Sequence, residues 1–215
     1  MASTTDLAYE KIKSAIMSGE VKAGDRIKEE LFAEQIGVSR TPIRHALQKL
    51  AAQGFIDMLH HQGARVADWS PRDLEDITAM RALLEGFGAG IAARKVTREH
   101  INTLCVLAGK MEKAAKSGKR TDLEAITDLN SQFHMTIITT SGNRRLDEVI
   151  GNLAHPLLVQ RRFSGFSEAR LQRSMSHHRE IIDALEAGDS DWASAIMRSH
   201  ILASADTSKD SPKQA

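Results

Sequence analysis

The sequence predicts a mainly α protein in two parts: three helices closed by a two-stranded hairpin, then an all-α bundle of about six helices. Three observations lead there. A turn-and-helix signature fills residues 37–48, two β-prone runs follow at 55–59 and 64–67, and beyond Val66 only helical periodicity with regular breaks remains. The chain's 215 residues exceed what the first part needs, so a second domain of roughly 130–150 residues is expected.

The signature reads Gly37-Val38-Ser39-Arg40-Thr41-Pro42-Ile43-Arg44-His45-Ala46-Leu47-Gln48. Gly37 can end a preceding helix, residues 28–36, in the left-handed conformation that other residues resist. Ser39 suits the N-cap of the next helix, and Pro42 falls in its first turn, where a missing N–H costs little. Ile43, Ala46, Leu47 and Leu50 recur at i, i+3, i+4, i+7 as an inward stripe, while Arg40, Arg44 and Gln48 recur every four residues on another face. This is the second helix of a helix-turn-helix. Its arginines suit the major groove of double-stranded DNA, where Arg bonds guanine O6 and N7. The alternative, a solvated amphipathic helix, leaves the agreement of turn, cap and charge unexplained. Phe55-Ile56-Asp57-Met58-Leu59 and Ala64-Arg65-Val66-Ala67, joined through His60-His61-Gln62-Gly63, form the hairpin, with Gly63 as turn residue. After a helix-turn-helix such a hairpin is a wing. Residues 1–37 carry net charge −2 and residues 38–66 carry +3, so basic character is confined to the face expected to meet phosphate.

Residues 7–67 resemble the DNA-binding domain of GntR-family bacterial transcription regulators. The resemblance rests on Ile16 and Gly19, Gly24-Asp25-Arg26-Ile27, Glu30-Leu31, the run from Gly37 to Arg44, Ala46-Leu47, Leu50 and Gly54. His45 departs from the family, which commonly has Glu there. The resemblance implies that Arg40 and Arg44 reach bases or phosphates, that Ser39 and Thr41 anchor phosphate, and that Gly63 lets the wing approach.

Composition sets the class. With 41% hydrophobic and 27% charged residues, the chain is an ordinary soluble globular protein. Net charge is +1, and residues 67–215 carry 20 bases and 20 acids, so DNA affinity must reside in the first part. The single cysteine, Cys105, excludes an intramolecular disulfide, fits a reducing cytoplasm, and lies in an apolar helical run as buried filler. No run approaches the roughly 18 apolar residues of a membrane span, and the polar N-terminus is no signal peptide.

In the second part Asp68-Trp69-Ser70-Pro71 is a short linker that doubles as a helix start, Ser70 as cap and Pro71 at the first position. Helical patterns follow at about 71–94, 98–116, 121–140, 144–162, 168–187 and 190–205. They break at Thr97, Ser117-Gly118, Ser141-Gly142, Ser164-Gly165 and Gly188. Polar groups interrupt the apolar stripes. Arg81 falls among Leu74, Ile77, Leu84, Gly88 and Ile91, and Asn130 and His134 among Leu123, Ile126, Ile137 and Ile138. His178 is in phase with Leu171, Met175, Ile182 and Leu185, with His177 rotated about 100° away. His200 is in phase with Ala193, Ile196, Met197 and Ala203. Each of these alone reads as a hydrogen-bonded core residue, and Arg81 as the partner of Glu85. Three histidines on three helices, with Asn130 one turn before His134, equally fit a site for zinc, nickel, copper, iron or manganese. Arg161 and Arg162 are expected to face solvent.

Residues 73–204 resemble the FCD ligand-binding domain of the FadR subfamily of GntR regulators. The matching residues are Met80-Arg81-Ala82-Leu83-Leu84-Glu85, Asn130-Ser131-Gln132-Phe133-His134, Ser141-Gly142-Asn143, the run from His178 to Leu185, Gly188-Asp189 and Met197-Arg198-Ser199-His200. In that domain an Asp and three His hold a divalent metal, to which a small organic acid binds, often with help from the Arg. The resemblance therefore implies His134, His178 and His200 as metal ligands, Asn130 in the place of the Asp, and Arg81 as the effector clamp. An amide oxygen is a weaker, neutral ligand, so affinity falls and metal preference among zinc, nickel and manganese shifts.

The expected protein is a repressor in the cytoplasm, a homodimer on a palindromic operator, controlled by a small carboxylate and not associated with membrane. Its expected parts are a winged helix-turn-helix at 1–67, a linker at 68–72, an effector-binding and dimerisation domain at 73–205 and a tail at 206–215. One alternative is a DNA-binding regulator with no metal or ligand in its second domain. A helical metalloenzyme is the other; it needs a general base for which only Glu85 is available, and adjacent His-Asp doublets are absent.

Overall fold

A computed structural model describes residues 3–59, 63–117, 121–153, 163 and 166–205. The chain divides into two compact units, Met1–Ser70 and Pro71–Ala215.

In the first unit α1 (Thr4–Ser18) starts at a capping box between Ser3 and Asp6. Then come α2 (Glu29–Ile36), α3 (Arg40–Ala52), β1 (Ile56–Leu59) and β2 (Gly63–Val66). Ile12, Phe32, Ile43, Leu47, Leu50 and Phe55 form the buried centre. Gly37 ends α2 at φ 74°, its N–H bonded to Ala33 O and Glu34 O. Ser39 occupies the N-cap of α3 with extended backbone, but its side chain makes no capping hydrogen bond. A capping side chain accepts from the second or third helical N–H, and the third residue here is Pro42, which has none. The strands pair antiparallel in the register Ile56 with Val66, Asp57 with Arg65, Met58 with Ala64 and Leu59 with Gly63. Gly63 is thus the first ladder residue of β2 rather than a residue of the turn. Its φ of 79° still favours glycine. His60, His61 and Gln62 lie outside the described residues.

The second unit contains α4 (Pro71–Ala93), α5 (Arg98–Ser117), α6 (Thr121–Thr140), α7 (Arg144–Leu153), α8 (Glu168–Glu186) and α9 (Ser190–Ala205). The helix expected at 144–162 is described only as far as Leu153. Arg161, Arg162, the break at Ser164-Gly165 and the tail 206–215 lie outside the described residues. Helix α4 packs chiefly on α9, α5 on α6 and α8, and α7 on α4 and α6. Phe133, Ile137, Met111, Leu104, Ile181 and Met197 anchor the core, and Cys105 is half-buried against it.

Helix α4 departs from the heptad expectation. Leu74, Ile77, Leu84 and Ile91 are only half-buried, and Met80, Leu83 and Phe87 are exposed. Of the expected apolar stripe Gly88 alone is buried, facing Ile138 and Leu146; the rest of the buried face is Thr78, Ala82, Gly86, Ala89, Ala92 and Ala93, together with Arg81 and Glu85. The reason is the closeness of α9. A Cβ on Gly86 would overlap Arg198 Cγ and come within 3.1 Å of Ser194 O, and one on Gly90 would lie 3.0 Å from Ser190 O. Only small residues admit that approach. Among the described residues no helix is long and apolar enough to cross a membrane.

Candidate functional site

Helical phase brings the polar stripe residues to one place. Asn130 and His134 stand one turn apart on α6, His178 comes from α8 and His200 from α9, and all four are buried. Potential ligand atoms of the three histidines lie within 4.8 Å of one another. His134 Nε2 and His200 Nε2 are 3.2 Å apart. Helix α4 contributes Arg81 and Glu85 from below. Arg81 Nε donates to Glu85 Oε1 at 2.6 Å, and Glu85 Oε2 lies 2.6 Å from His134 Nδ1.

Charge and protonation follow from burial. Burial works to raise the Glu85 carboxyl, but the Arg81 guanidinium and then His134 outweigh it and hold it at about 2. An ionised carboxylate only accepts, so the short bond is donated by His134 Nδ1–H, with Nε2 facing His200. Burial, followed by the neighbouring His134, pushes His178 well below its ordinary value. His200 is lowered likewise by burial and then by His178. Neutral imidazoles with free lone pairs are the form that ligates metal.

The donor set fits a metal. Asn130 Oδ1, both ring nitrogens of His178 and His200 Nδ1 are buried with no hydrogen-bond partner among the described residues. Orphaned buried acceptors are costly unless something satisfies them. Zinc bonds of the usual length and tetrahedral angle put two ligand nitrogens about 3.4 Å apart, close to the His134–His200 spacing. The Glu85–His134 contact has the form of the carboxylate that stands behind a histidine in metal sites and fixes its tautomer. Beside the cluster is a cavity of about 20 Å³, room for an ion or a water, bordered by Arg81, Asn130, His134, His200, Ser174 and Ser204. Arg81 pairs with Glu85, as its spacing suggested, and borders this cavity.

In the first unit Ser39, Arg40, Thr41, Arg44 and Gln48 are all exposed on α3. The basic face is not segregated as the charge count suggested. Arg40 pairs with Glu30 at 3.1 Å and Arg44 Nε donates to Glu29 at 2.9 Å. Both acids sit in the first turn of α2, which the turn at Gly37 lays beside α3.

The comparisons fit this geometry. Residues 4–66 match the family described as bacterial regulatory proteins, gntR family, and residues 76–203 match the FCD domain. The chain is a GntR-family regulator with an FCD domain. It is 29% identical over 188 residues to a "Probable D-xylose utilization operon transcriptional repressor" of Paenarthrobacter nicotinovorans, covering 87% of this chain and 81% of that one. It is 26% identical over 202 residues to the "HTH-type transcriptional repressor GlaR" of Escherichia coli (strain K12), covering 90% of each. The solved structure of "E. coli McbR/YncC" superposes with a TM-score of 0.74 over 94% of this chain and 95% of that one, at 24% identity, which supports the fold. These families and relatives are DNA-binding transcriptional regulators, not enzymes, and the metalloenzyme reading is dropped.

Three residues of the GntR protein's second-unit site were missed as participants. Glu85 looked like an ordinary i+4 partner of Arg81, and nothing in the sequence signals its second bond to α6. Ser174 is one turn before His178, and its position was the available clue. His177, rotated off the apolar stripe, is half-buried with its ring centroid 5.8 Å from that of His200.

Proposed function

We propose that this GntR-family protein is an effector-controlled repressor that works in the cytoplasm as a homodimer on a palindromic operator. In this reading residues 1–67 bind DNA, 68–72 link, 73–205 bind effector and dimerise, and 206–215 are a tail. Arg40, Arg44 and Gln48 read or grip the major groove, Ser39 and Thr41 hold phosphate, and Gly63 carries the wing. The uncapped Ser39 hydroxyl and the exposed arginines support those roles. Two such helices meet one face of the duplex about 34 Å apart, or a multiple of that. The exposed Met80, Leu83 and Phe87 on α4 support a second copy as the cover of that face.

The observation that carries the effector reading is the group of buried polar atoms without protein partners beside a small cavity. His134, His178, His200 and Asn130 would hold a divalent ion such as zinc, nickel or manganese. Bound there, the ion would supply a Lewis-acid anchor for a carboxylate. Arg81 would take the carboxylate's other oxygen with the guanidinium nitrogens not given to Glu85, and Glu85 would keep His134 in its ligating tautomer. Such an acid changes operator affinity only if it prefers one of two arrangements of the bundle. Metal analysis of protein purified without chelator should find about one transition-metal ion per chain, lost in His134→Ala. A band-shift titration should find an acid that alters operator affinity, and none across a panel with and without metal would refute the control. Arg44→Ala should lose about 1–3 kcal/mol of operator binding and relax sequence preference. A uniform loss across sequences would make it a phosphate contact.

A regulator whose second domain holds neither metal nor ligand is the rival reading. The unbroken Arg81–Glu85–His134–His200 chain favours it, since those groups satisfy one another. Thermal stability indifferent to every metal and acid would uphold it.

A further inference from the structure

Helix α8 carries a polar stripe of which only Ser174 borders the inner cavity. Arg170, Arg173, Ser174 and His177 recur at i, i+3, i+4, i+7 and so lie on one face. They border a second cavity of about 20 Å³ next to the first. The two cavities share Phe166, Ser174, His200 and Ser204, so the outer one also borders a histidine of the inner cluster. No Asp or Glu borders either cavity among the described residues. Arg170 is held at the mouth, its guanidinium 4.7 Å from the centre of the Phe166 ring and donating to Ala203 O at 3.0 Å. Arg173 is exposed and, among the described residues, has no carboxylate within ion-pair distance.

The inner site has a matching excess. Glu85 and Arg81 cancel each other. Asn130 and three imidazoles are neutral ligands, so a divalent ion among them keeps its whole double charge. A carboxylate at position 130 would have removed one unit of it. An acid with a single negative charge leaves that site positive and the outer arginine unanswered.

We propose that the effector is a compact acid with two anionic groups, one a carboxylate against Arg81 and the histidine cluster and the second in the outer cleft of Arg173 and His177. The proposal rests on the effector reading above and narrows it. The second group is a carboxylate or a phosphate ester, which share the chemistry Arg recognises. The spacing is short, since the two cavities have Phe166, Ser174, His200 and Ser204 as common walls and the ring centroids of His177 and His200 are 5.8 Å apart.

Calorimetric titration of the full chain, as purified and after zinc loading, tests this with malonate, succinate and glutarate against propionate, butyrate and valerate, and with phosphoglycolate. At least one two-anion acid should bind tenfold or more tighter than the monocarboxylates. A preference for phosphoglycolate or for a dicarboxylate identifies the second group, and either supports the proposal. Arg173→Gln, a substitution at an exposed position, should bring the two-anion acid down to the monocarboxylate level and leave the monocarboxylates within twofold. Two-anion acids and monocarboxylates of equal affinity would overturn the two-anion site while leaving the effector reading intact. So would an Arg173→Gln chain that loses both equally. No binding by any acid, with or without zinc, would overturn both readings together.

Discussion

Glu85 has no contact with solvent, and both its oxygens are committed, one to Arg81 Nε and the other to His134 Nδ1. Replacing it by Gln leaves a buried guanidinium without a counter-charge and frees the His134 ring to turn. Glu85→Gln should lose about 3–5 kcal/mol in urea unfolding. Metal retention should weaken roughly 10–100-fold by equilibrium dialysis. A variant with unaltered metal binding would remove Glu85 from the site. The histidines were legible because helical phase marks any polar residue that intrudes on an apolar stripe. Glu85 was not, because its spacing from Arg81 is that of countless surface pairs and its decisive partner lies 49 positions away. Glu29 was hidden for the same reason. As Arg44 must leave or share it to reach a phosphate, Glu29→Gln should tighten binding to non-operator DNA by less than about tenfold, the scale of one exposed pair. Weaker binding would instead mean that Glu29 holds Arg44 in its binding rotamer.

At the scale of elements, the fold class and helix order were readable, and the orientation of α4 was not. Amphipathic stripes declare themselves through large apolar residues, whereas Ala82, Gly86, Ala89 and Gly90 carry almost no hydropathy signal. Their meaning is distance between backbones, which only the partner helix defines. Two glycines separate the effects. Gly86→Val should cost about 1–3 kcal/mol, since the added carbons meet Arg198 and the Ser194 carbonyl. Gly151→Ala on α7, where an added Cβ meets nothing within 4 Å, should gain about 0.5–1 kcal/mol from helix propensity. Thermal or urea unfolding distinguishes them, and equal effects would refute the close α4–α9 contact. The hairpin shows the complementary case. Its strands were legible from β-branched and aromatic runs, yet Gly63 was assigned to the turn, because a ladder residue and a turn residue at positive φ make the same demand for glycine.

For the molecule as a whole, buried neutral histidines link stability to pH. His178 and His200 are lowered by burial, so below pH 6.5 the unfolded chain takes up protons that the folded chain refuses. Stability from this source is complete above that value and declines as the pH falls through it. The contribution of Glu85, lowered from 4.5 to about 2, is present above 4.5 and lost only in stronger acid. Melting temperature should therefore start to drop between pH 7 and 6, well before carboxylates titrate, and a flat profile down to pH 5 would contradict the burial of the two rings. Stiffness, too, must be unevenly distributed. Where Gly86 and Gly90 approach the Ser194 and Ser190 carbonyls, little side chain lies between the backbones beyond the Arg198 stem, so α4 and α9 have less room to repack against each other. Helices α6 and α8 meet their neighbours through long side chains such as Phe133, Met111 and Met175, which can repack. Whatever enters between His200 and Asn130 pushes a compliant wall against a hard one, and the displacement appears on the α6 and α8 side.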